Sequence, residues 1–440
     1  MKIAIIGGGA SGLMCACMLG GGTGPSKLTR HSTSGDFGTG LDITGVTPLD
    51  VTVFDKNGAT GMKMLLTGNG RCNVTNLVPP ETFLENVHRN ADFLTHAVSK
   101  FTPHDMAGFL KSLGVDIHIE DNNRAFPTTN KSTTIRDAMQ NFATSHGVKF
   151  EFNTDVKSIT QISQSDNDGI STDKFQITFH TDNATFDKTL VFDKVVIATG
   201  GLSYPQKGST GDGYVFAESF GHSIIPTRPG MCGIIFNKPT GFQGASINCQ
   251  IKITDKHGNA KTDAKFGSLL FTDYGVSGPT VFKIVSQFSE QSPSGHFLEI
   301  DLAPDKTLQD VQNKIKFATS KIQKQKPFYI LREFLPVSVA NWVAGEVFSK
   351  SDKNSSKIDM AKIIKNFKTP LKDFRGVETA IVTRGGVDVS QIDNKTMQSK
   401  LVCGLYFTGE VMDVDGLSGG FNLQISFSTG VACALDVISK

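Results

Sequence analysis

The sequence predicts an α/β fold built on a buried parallel sheet, and three junctions of the same kind predict it. Residues 3–6 form a short apolar run that ends at Gly7, Gly9 and Gly12 and continues into apolar residues 13–19. Residues 195–201, V-V-I-A-T-G-G, repeat the pattern and lead through Gly208 and Gly213 to helical spacing over 214–220. Near the C-terminus, G-L-Y-F-T-G-E at 404–410 is followed by Gly419-Gly420 and a helical pattern reaching about residue 438. A continuous apolar run of strand length is what a strand covered on both faces looks like, and a glycine turn into helix spacing is the strand-to-helix half of a parallel crossover.

The first junction carries the most chemistry. In G-x-G-x-x-G the first glycine permits the tight turn, the second lets a pyrophosphate approach the backbone, and the third lets helix pack on strand. The helix start adds unpaired N–H groups and partial positive charge. A dinucleotide is therefore expected at the start of the chain. Its usual partner is an acid at the end of the second strand, about 20 residues further on. V-T-V-F at 51–54 with Asp55 fits, Asp55 being the ribose ligand, although the spacing is longer. Residues 20–50, rich in Gly, Ser and Thr, read as a surface insertion. A secretory leader is disfavoured because glycines break the apolar stretch it would need. A first strand beginning at residue two or three leaves no room for a transit peptide, which predicts a cytoplasmic protein.

Composition agrees with an enzyme of two or three domains. The chain has 440 residues, 38% of them hydrophobic, and a net charge of +2. That balance gives no global reason to expect nucleic acid or an anionic membrane. No uninterrupted apolar run is long enough to span a bilayer. Seven cysteines without C-x-x-C suggest a reducing compartment, and Cys15 and Cys17 should face different ways on a helix. Ten histidines form no H-x-x-x-H pair, so no metal is expected.

Residues 58–76, G-A-T-G-M-K-M-L-L-T-G-N-G-R-C-N-V-T-N, form a Gly- and Asn-dense loop carrying Lys63, Arg71 and Cys72. Directly after the ribose-binding strand, such a loop offers amides and cations to a phosphate. Residues 148–152 and 155–159 read as strands, and 175–180 alternate apolar with polar. At the last junction the T-G-E turn and Gly-Gly helix start would aim amides at an electron-rich ring edge. That arrangement stabilises negative charge on a reduced flavin, with Glu410 and Asp413 on ribityl hydroxyls.

Together these segments resemble FAD-binding proteins of the glutathione reductase type. The 58–76 loop, L-L-F-T-D-Y-G-V-S-G-P at 269–279, T-R-G-G-V-D at 383–388 and G-L-Y-F-T-G-E-V-M-D-V-D-G-L-S-G-G-F-N-L-Q at 404–424 narrow the likeness. They are similar to the aminoacetone oxidase and BaiN-like family of NAD(P)/FAD-dependent oxidoreductases, over nearly the whole chain apart from 20–50.

The resemblance implies a Rossmann-type FAD-binding domain from 1–225 and 375–440, with 226–374 inserted as a β-barrel-like domain carrying a helical segment. Residues 232–236, 247–255 and 297–302 read as its strands, and 307–324, 337–348 and 358–367 as its helices. FAD contacts carried over by position are Gly7, Gly9, Ser11, Gly12, Asp55, Lys56, Lys63, Gly70, Arg71, Cys72, Asn73, Val156, Ala198, Thr199, Gly200, Gly409, Glu410, Asp413, Gly420, Asn422 and Leu423. Val156 would hold adenine through its backbone. Cys72, with no resolving thiol nearby in sequence, is expected to pack under the cofactor. Tyr204, Asp273, Tyr274 and Ser277 are candidates to line a substrate cavity between the domains; no general base is assigned.

The expected function is hydride transfer through non-covalent FAD, linked to NAD(P)H, onto a small organic acceptor, with no nucleic-acid or membrane partner. No second G-x-G-x-x-G follows a strand, so no separate nicotinamide domain is expected. One alternative is oxidation of a small amine by O2. Another is an FAD-containing binding or RNA-modification factor. Its contact surface would be residues 311–370, with twelve Lys or Arg against four Asp or Glu, through Lys314, Lys321, Lys357 and Lys365. A solvated helical face explains the same charges without a partner.

Overall fold

The computed structural model describes residues 1–21, 49–165, 171–182, 185–321, 327–348 and 359–440. Most of the 20–50 insertion, Lys357 and the Lys321 side chain lie outside what is described. The described residues form two compact units, Met1–Arg228 with Val382–Lys440, and Pro229–Ile381.

The first unit is organised by a five-stranded parallel sheet. Its order is Leu405–Phe407, Lys194–Ile197, Lys2–Ile6, Asp50–Phe54, Lys149–Glu151. All three predicted junctions feed this sheet, and Lys2–Ile6 lies at its centre. The helix Ala10–Gly20 starts three residues before the apolar stretch suggests, because Gly9 caps it directly after the turn. Nine of its residues, Ser11 to Leu19, are buried. Cys15 and Cys17 are both enclosed, because the helix has no solvent face along that stretch, and they face different ways as expected: Cys17 donates to the Met139 carbonyl at 3.2 Å, and Cys15 meets Cys433.

The C-terminal helix Phe421–Ser439 packs on Ala10–Gly20, and the two backbones meet at Gly430. A Cβ there would lie 2.6 Å from the Ser11 carbonyl oxygen. By length and mean hydropathy (1.3) this helix could cross a membrane, but most of it is buried in the core. Its polar residues are satisfied inside: Gln424 Nε2 and Ser428 Oγ both donate to the Phe101 carbonyl, at 3.0 and 2.7 Å.

A three-stranded antiparallel sheet, Thr154–Ser165, Ser171–Thr181 and Lys188–Phe192, belongs to the same unit. Val156 pairs with Phe179 and Ser158 with Thr178, so Lys157 is an extra residue in a β-bulge beside Val156. The helix after the second junction is Asp212–Ser219, two residues earlier than the spacing indicates, because Gly211 caps it in a left-handed conformation.

In the second unit, six strands close a barrel: Ile234–Phe236, Gly275–Ser277, Lys265–Thr272, Ser246–Thr254, Phe297–Asp301 and Phe367–Phe374. Alternation along Ser246–Thr254 sends Ile247, Cys249, Ile251 and Ile253 inward. The helices Pro279–Gln287, Leu308–Lys321, Pro327–Leu331, Val337–Phe348 and Met360–Lys365 accompany the barrel. Trp342 stacks on Phe236 at 5.5 Å and meets Phe271 and Phe367 edge-on.

Candidate cofactor and substrate site

At the first turn, two glycines are required by the chain itself. Gly7 has φ +103°, and a Cβ on it would lie 2.6 Å from the Ala198 carbonyl oxygen. A Cβ on Gly12 would sit 2.0 Å from the Gly7 oxygen. Gly9 is different. Its φ and ψ, −69° and −170°, suit any residue, and the nearest atom to a Cβ is the Ala198 oxygen at 4.0 Å. Nothing in the protein needs glycine there, and the open approach leaves room for a phosphate.

Asp55 ends the second strand as expected, but its carboxylate braces the turn. Oδ2 accepts from Gly8 N at 2.8 Å, and Oδ1 accepts from Asn57 N at 2.8 Å and Asn57 Nδ2 at 2.9 Å. Burial pushes its carboxyl above the usual range, and these hydrogen bonds pull it back. Ala198 lies across from Gly7, Gly200 is left-handed at φ +72°, and a Cβ on Gly213 would meet Thr199 Oγ1 at 2.1 Å. The turn after the second junction is thus packed under the first.

The cationic candidates have acidic partners. Lys56 pairs with Asp212, and its Nζ donates to Thr210 at 2.6 Å. Lys63 pairs with Glu410 at 2.5 Å, joining two predicted contacts far apart in sequence. Arg71 donates to Glu120 at 2.6 Å while its guanidinium lies 4.2 Å over the Phe126 ring. Gly70, at φ +83°, has nothing within 4 Å of its Cβ direction. Asn73 Oδ1 is buried without a hydrogen-bond partner. Cys72 is fully buried at φ +62°, and burial pushes its thiol up to about 12. A thiol so protonated is a packing residue.

At the C-terminal junction, Gly409 faces the Ser11 hydroxyl and Gly420 presses on Thr75. A Cβ on Gly420 would be 2.4 Å from the Thr75 carbonyl carbon. Asn422 closes the preceding turn, accepting from Gly416 N at 2.9 Å and donating to Gly416 O at 2.8 Å. Leu423 is half-buried behind it. Glu410 Oε1 accepts from Thr383 N at 2.7 Å. Asp413 is held as one half of a bidentate pair with Arg89, at 2.8 and 2.7 Å.

The substrate candidates divide between the units. Tyr204 is a half-buried left-handed residue of the first, at φ +59°. Asp273, Tyr274 and Ser277 share one hairpin of the barrel, where Asp273 is exposed and Arg375 covers the Tyr274 ring at 4.6 Å. Lys314 and Lys365, offered for nucleic acid, serve the second unit's own fold. Lys314 bonds the Glu333 carbonyl, and Lys365 pairs with Asp301 at 2.6 Å and donates to the Ala303 and Lys306 carbonyls.

Sequence reasoning missed a charged cluster. Ile224–Gly230 pairs with Val382–Val387, and Val87–Arg89 with Asp415–Gly416. These strands carry Arg228, Arg384, Arg89 and Asp415 beside Asp413. Arg384 lies 4.0 Å from Asp415, and their side chains are 6% and 1% exposed. Neither Asp415 oxygen has a hydrogen-bond partner. Burial pushes its carboxyl up to about 6 against the pull of Arg384, and burial draws the Arg384 guanidinium down to about 10. T-R-G-G-V-D and D-V-D-G signalled two members; V-H-R-N and T-R-P-G gave no sign of Arg89 and Arg228.

FAD fits these residues on two observations: the open approach at Gly9, and the unpartnered buried oxygen of Asn73 in the loop expected to meet its phosphates. Comparison with known proteins agrees. A family model described as HI0933-like protein Rossmann domain matches residues 43–436. A ribosomal RNA dihydrouridine synthase of Haemophilus influenzae is 31% identical over 98% of this chain and 97% of its own length. The protein of the same name from Escherichia coli is 30% identical over 99% and 97%. A 3-dehydro-bile acid delta(4,6)-reductase of Clostridium scindens is 24% identical over 98% and 97%. A flavocytochrome c3 fumarate reductase in its open conformation superposes with a TM-score of 0.50 at 16% identity. The match covers 100% of this chain and 78% of that one, a likeness of fold alone.

Proposed function

From the premise that this chain belongs to the HI0933-like Rossmann family and is an FAD-dependent oxidoreductase, we propose that it reduces a carbon–carbon double bond conjugated to a carbonyl, the bond being that of uracil in ribosomal RNA. The observation that carries this reading is the pair of relatives at 31% and 30% identity across nearly their whole length, both named for making dihydrouridine. The third relative is named for reducing double bonds of a 3-dehydro-bile acid. Dihydrouridine arises when a hydride and a proton add across the uracil double bond next to a carbonyl, so one chemistry joins the three names.

Bound FAD supplies the hydride chemistry, with NAD(P)H as the reductant. The chain's own residues bind and orient. The Gly7–Gly12 turn and the start of Ala10–Gly20 receive the pyrophosphate. Asp55 fixes that turn and lies where the ribose would come. Lys63, in the 58–76 loop, is held by Glu410. Gly420 sets the N-terminus of Phe421–Ser439, whose first amides would stabilise negative charge on a flavin held there.

A second reading is a small enone in place of RNA. It is favoured by the net charge of +2 and by the internal use of Lys314 and Lys365. One experiment separates these. The yellow protein is reduced anaerobically with NADH or NADPH, then offered ribosomal RNA from cells lacking a dihydrouridine-forming relative, or a ring enone. Dihydrouridine detected by mass spectrometry supports the RNA reading. Turnover of the enone alone replaces it with the second. A flavin that NAD(P)H does not bleach, but that a small amine reduces with peroxide formed in air, overturns both in favour of an oxidase of the aminoacetone type.

A further inference from the structure

Between the second strand-to-helix junction and its helix, residues 202–208 form a turn tied at both ends to acids of the expected cofactor site. At one end, Glu410 Oε1 accepts from Thr383 N at 2.7 Å. The Thr383 hydroxyl oxygen accepts from Leu202 N at 2.7 Å and from Ser203 N at 3.0 Å, and it bonds the Ser203 hydroxyl at 3.0 Å. Ser203 and Thr383 are buried, and a Cβ on Gly201 would collide with that Thr383 hydroxyl. At the other end, Asp55 Oδ1 accepts from Asn57 Nδ2 at 2.9 Å, and the same nitrogen donates to the Lys207 carbonyl at 3.2 Å.

Between these ties Tyr204 has φ +59° and ψ +61°. A bulky residue adopts this left-handed conformation where its surroundings impose it, and such residues gather at ligand clamps and active sites. The Tyr204 carbonyl accepts from Lys207 N at 2.8 Å, which closes the turn. The half-buried side chain is not used in the same way. Among the described residues its hydroxyl has no hydrogen-bond partner, and its ring has no aromatic or cationic partner. A strained backbone thus displays a phenol whose O–H is left for a ligand.

We propose that the Tyr204 hydroxyl donates a hydrogen bond to the carbonyl oxygen of the acceptor, and that Thr383 is the positioning residue that holds it there. That the acceptor carries a conjugated carbonyl rests on the reductase reading above; the clamp rests on the turn alone. When hydride adds to the far carbon of the double bond, the π electrons move toward the carbonyl and its oxygen gains negative charge. A proton from water then completes the reduction at the carbon beside the carbonyl. An O–H donor fixed at that oxygen stabilises the charge as it forms. Uracil and a ring enone both present such an oxygen. Thr383 acts through the backbone of Leu202 and Ser203, and Asn57 anchors the far side of the turn.

The test follows the two half-reactions of the flavin-loaded protein separately, by flavin absorbance without air. NAD(P)H bleaches the flavin in the first. Ribosomal RNA lacking dihydrouridine, or cyclohexenone, restores the colour in the second. Tyr204→Phe removes only the hydroxyl. It should keep the wild-type melting temperature, flavin content and rate of bleaching, and slow the return of colour roughly tenfold to a hundredfold. Thr383→Val should slow the same step, and Thr383→Ser, which keeps the hydroxyl, should restore most of it. Equal return of colour in wild type and Tyr204→Phe overturns the contact and leaves the reductase reading standing. Bleaching and colour return that fall together in Tyr204→Phe also overturn it, because a merely structural role would do that. A wild type that a small amine bleaches and only O2 recolours removes the reductase reading, and the carbonyl role with it.

Trypsin judges the clamp without turnover. Cleavage after Lys207 should quicken in Thr383→Val and stay at the wild-type rate in Thr383→Ser. Unchanged cleavage in Thr383→Val would show that Thr383 does not hold the turn, and overturns its positioning role.

Discussion

Among the described residues, the unit of Met1–Arg228 and Val382–Lys440 buries Asp55, Arg384, Asp413 and Asp415. In Pro229–Ile381 the buried polar residues are threonines, Ser286 and His296. Both units have apolar cores of ordinary kind, one around the parallel sheet and one inside the barrel. A fold does not need buried charge, and such groups are kept most often where a ligand or a reaction uses them. The contrast supports the reading that the chemistry belongs to the first unit's residues, and it gives the barrel's interior a packing role.

The sharpest way to break this comparison lies in the glycine turn. Gly12→Ala forces a Cβ onto the Gly7 oxygen and should cost roughly 3 kcal/mol or more, giving little folded, colourless protein. Gly9→Ala should melt within about 0.5 kcal/mol of wild type yet purify with less FAD. Wild-type flavin content in folded Gly9→Ala would show that no phosphate passes there.

Trp342→Ala probes the other side. Losing the stack on Phe236 inside the second unit should cost about 3–5 kcal/mol in urea unfolding. Flavin absorbance per folded molecule should stay unchanged; if it falls in step, the barrel is part of the cofactor site.

Asp415 gives a pH test. Its carboxyl is raised from 3.8 to about 6 on folding, so the folded state holds the proton more tightly than the unfolded one. Its contribution to stability is greatest below about pH 4 and is lost as pH rises to about 6, by about 3 kcal/mol at most. Asp415→Asn should flatten that part of the wild-type stability–pH curve, and an unchanged slope would show that Asp415 is not the group titrating. The smallest effect is expected at Cys72. Cys72→Ala should cost about 1 kcal/mol and leave flavin and reduction rate intact, and the wild-type thiol should resist alkylation until the protein unfolds.

How much of this was legible depended on distance along the chain. The strand-to-helix junctions follow local rules, so Gly7, Gly12 and the end-of-strand Asp55 could be read directly. The bracing of Gly8 by Asp55 could not, since it joins residues 47 apart. Arg89, Arg228 and Arg384 come together only through strand pairings, and V-H-R-N looks like any surface turn. On the first helix the spacing told that Cys15 and Cys17 face different ways but not that Ser11 to Leu19 are all enclosed, since that enclosure comes from distant segments.

The contact at Gly430 also sets an order of events during synthesis. Ala10–Gly20 leaves the ribosome early, and the helix that covers it is made about four hundred residues later. At ~5–20 residues per second, that is a wait of roughly 20–80 s. The last strand of the parallel sheet, Leu405–Phe407, arrives equally late. The nucleotide-binding turn thus cannot reach its finished surroundings until Leu405–Phe407 and Phe421–Ser439 have been made, whereas Pro229–Ile381 is complete before those segments appear. Acquisition of FAD is expected to follow synthesis of Phe421–Ser439, and a nascent chain stalled before residue 405 should bind none.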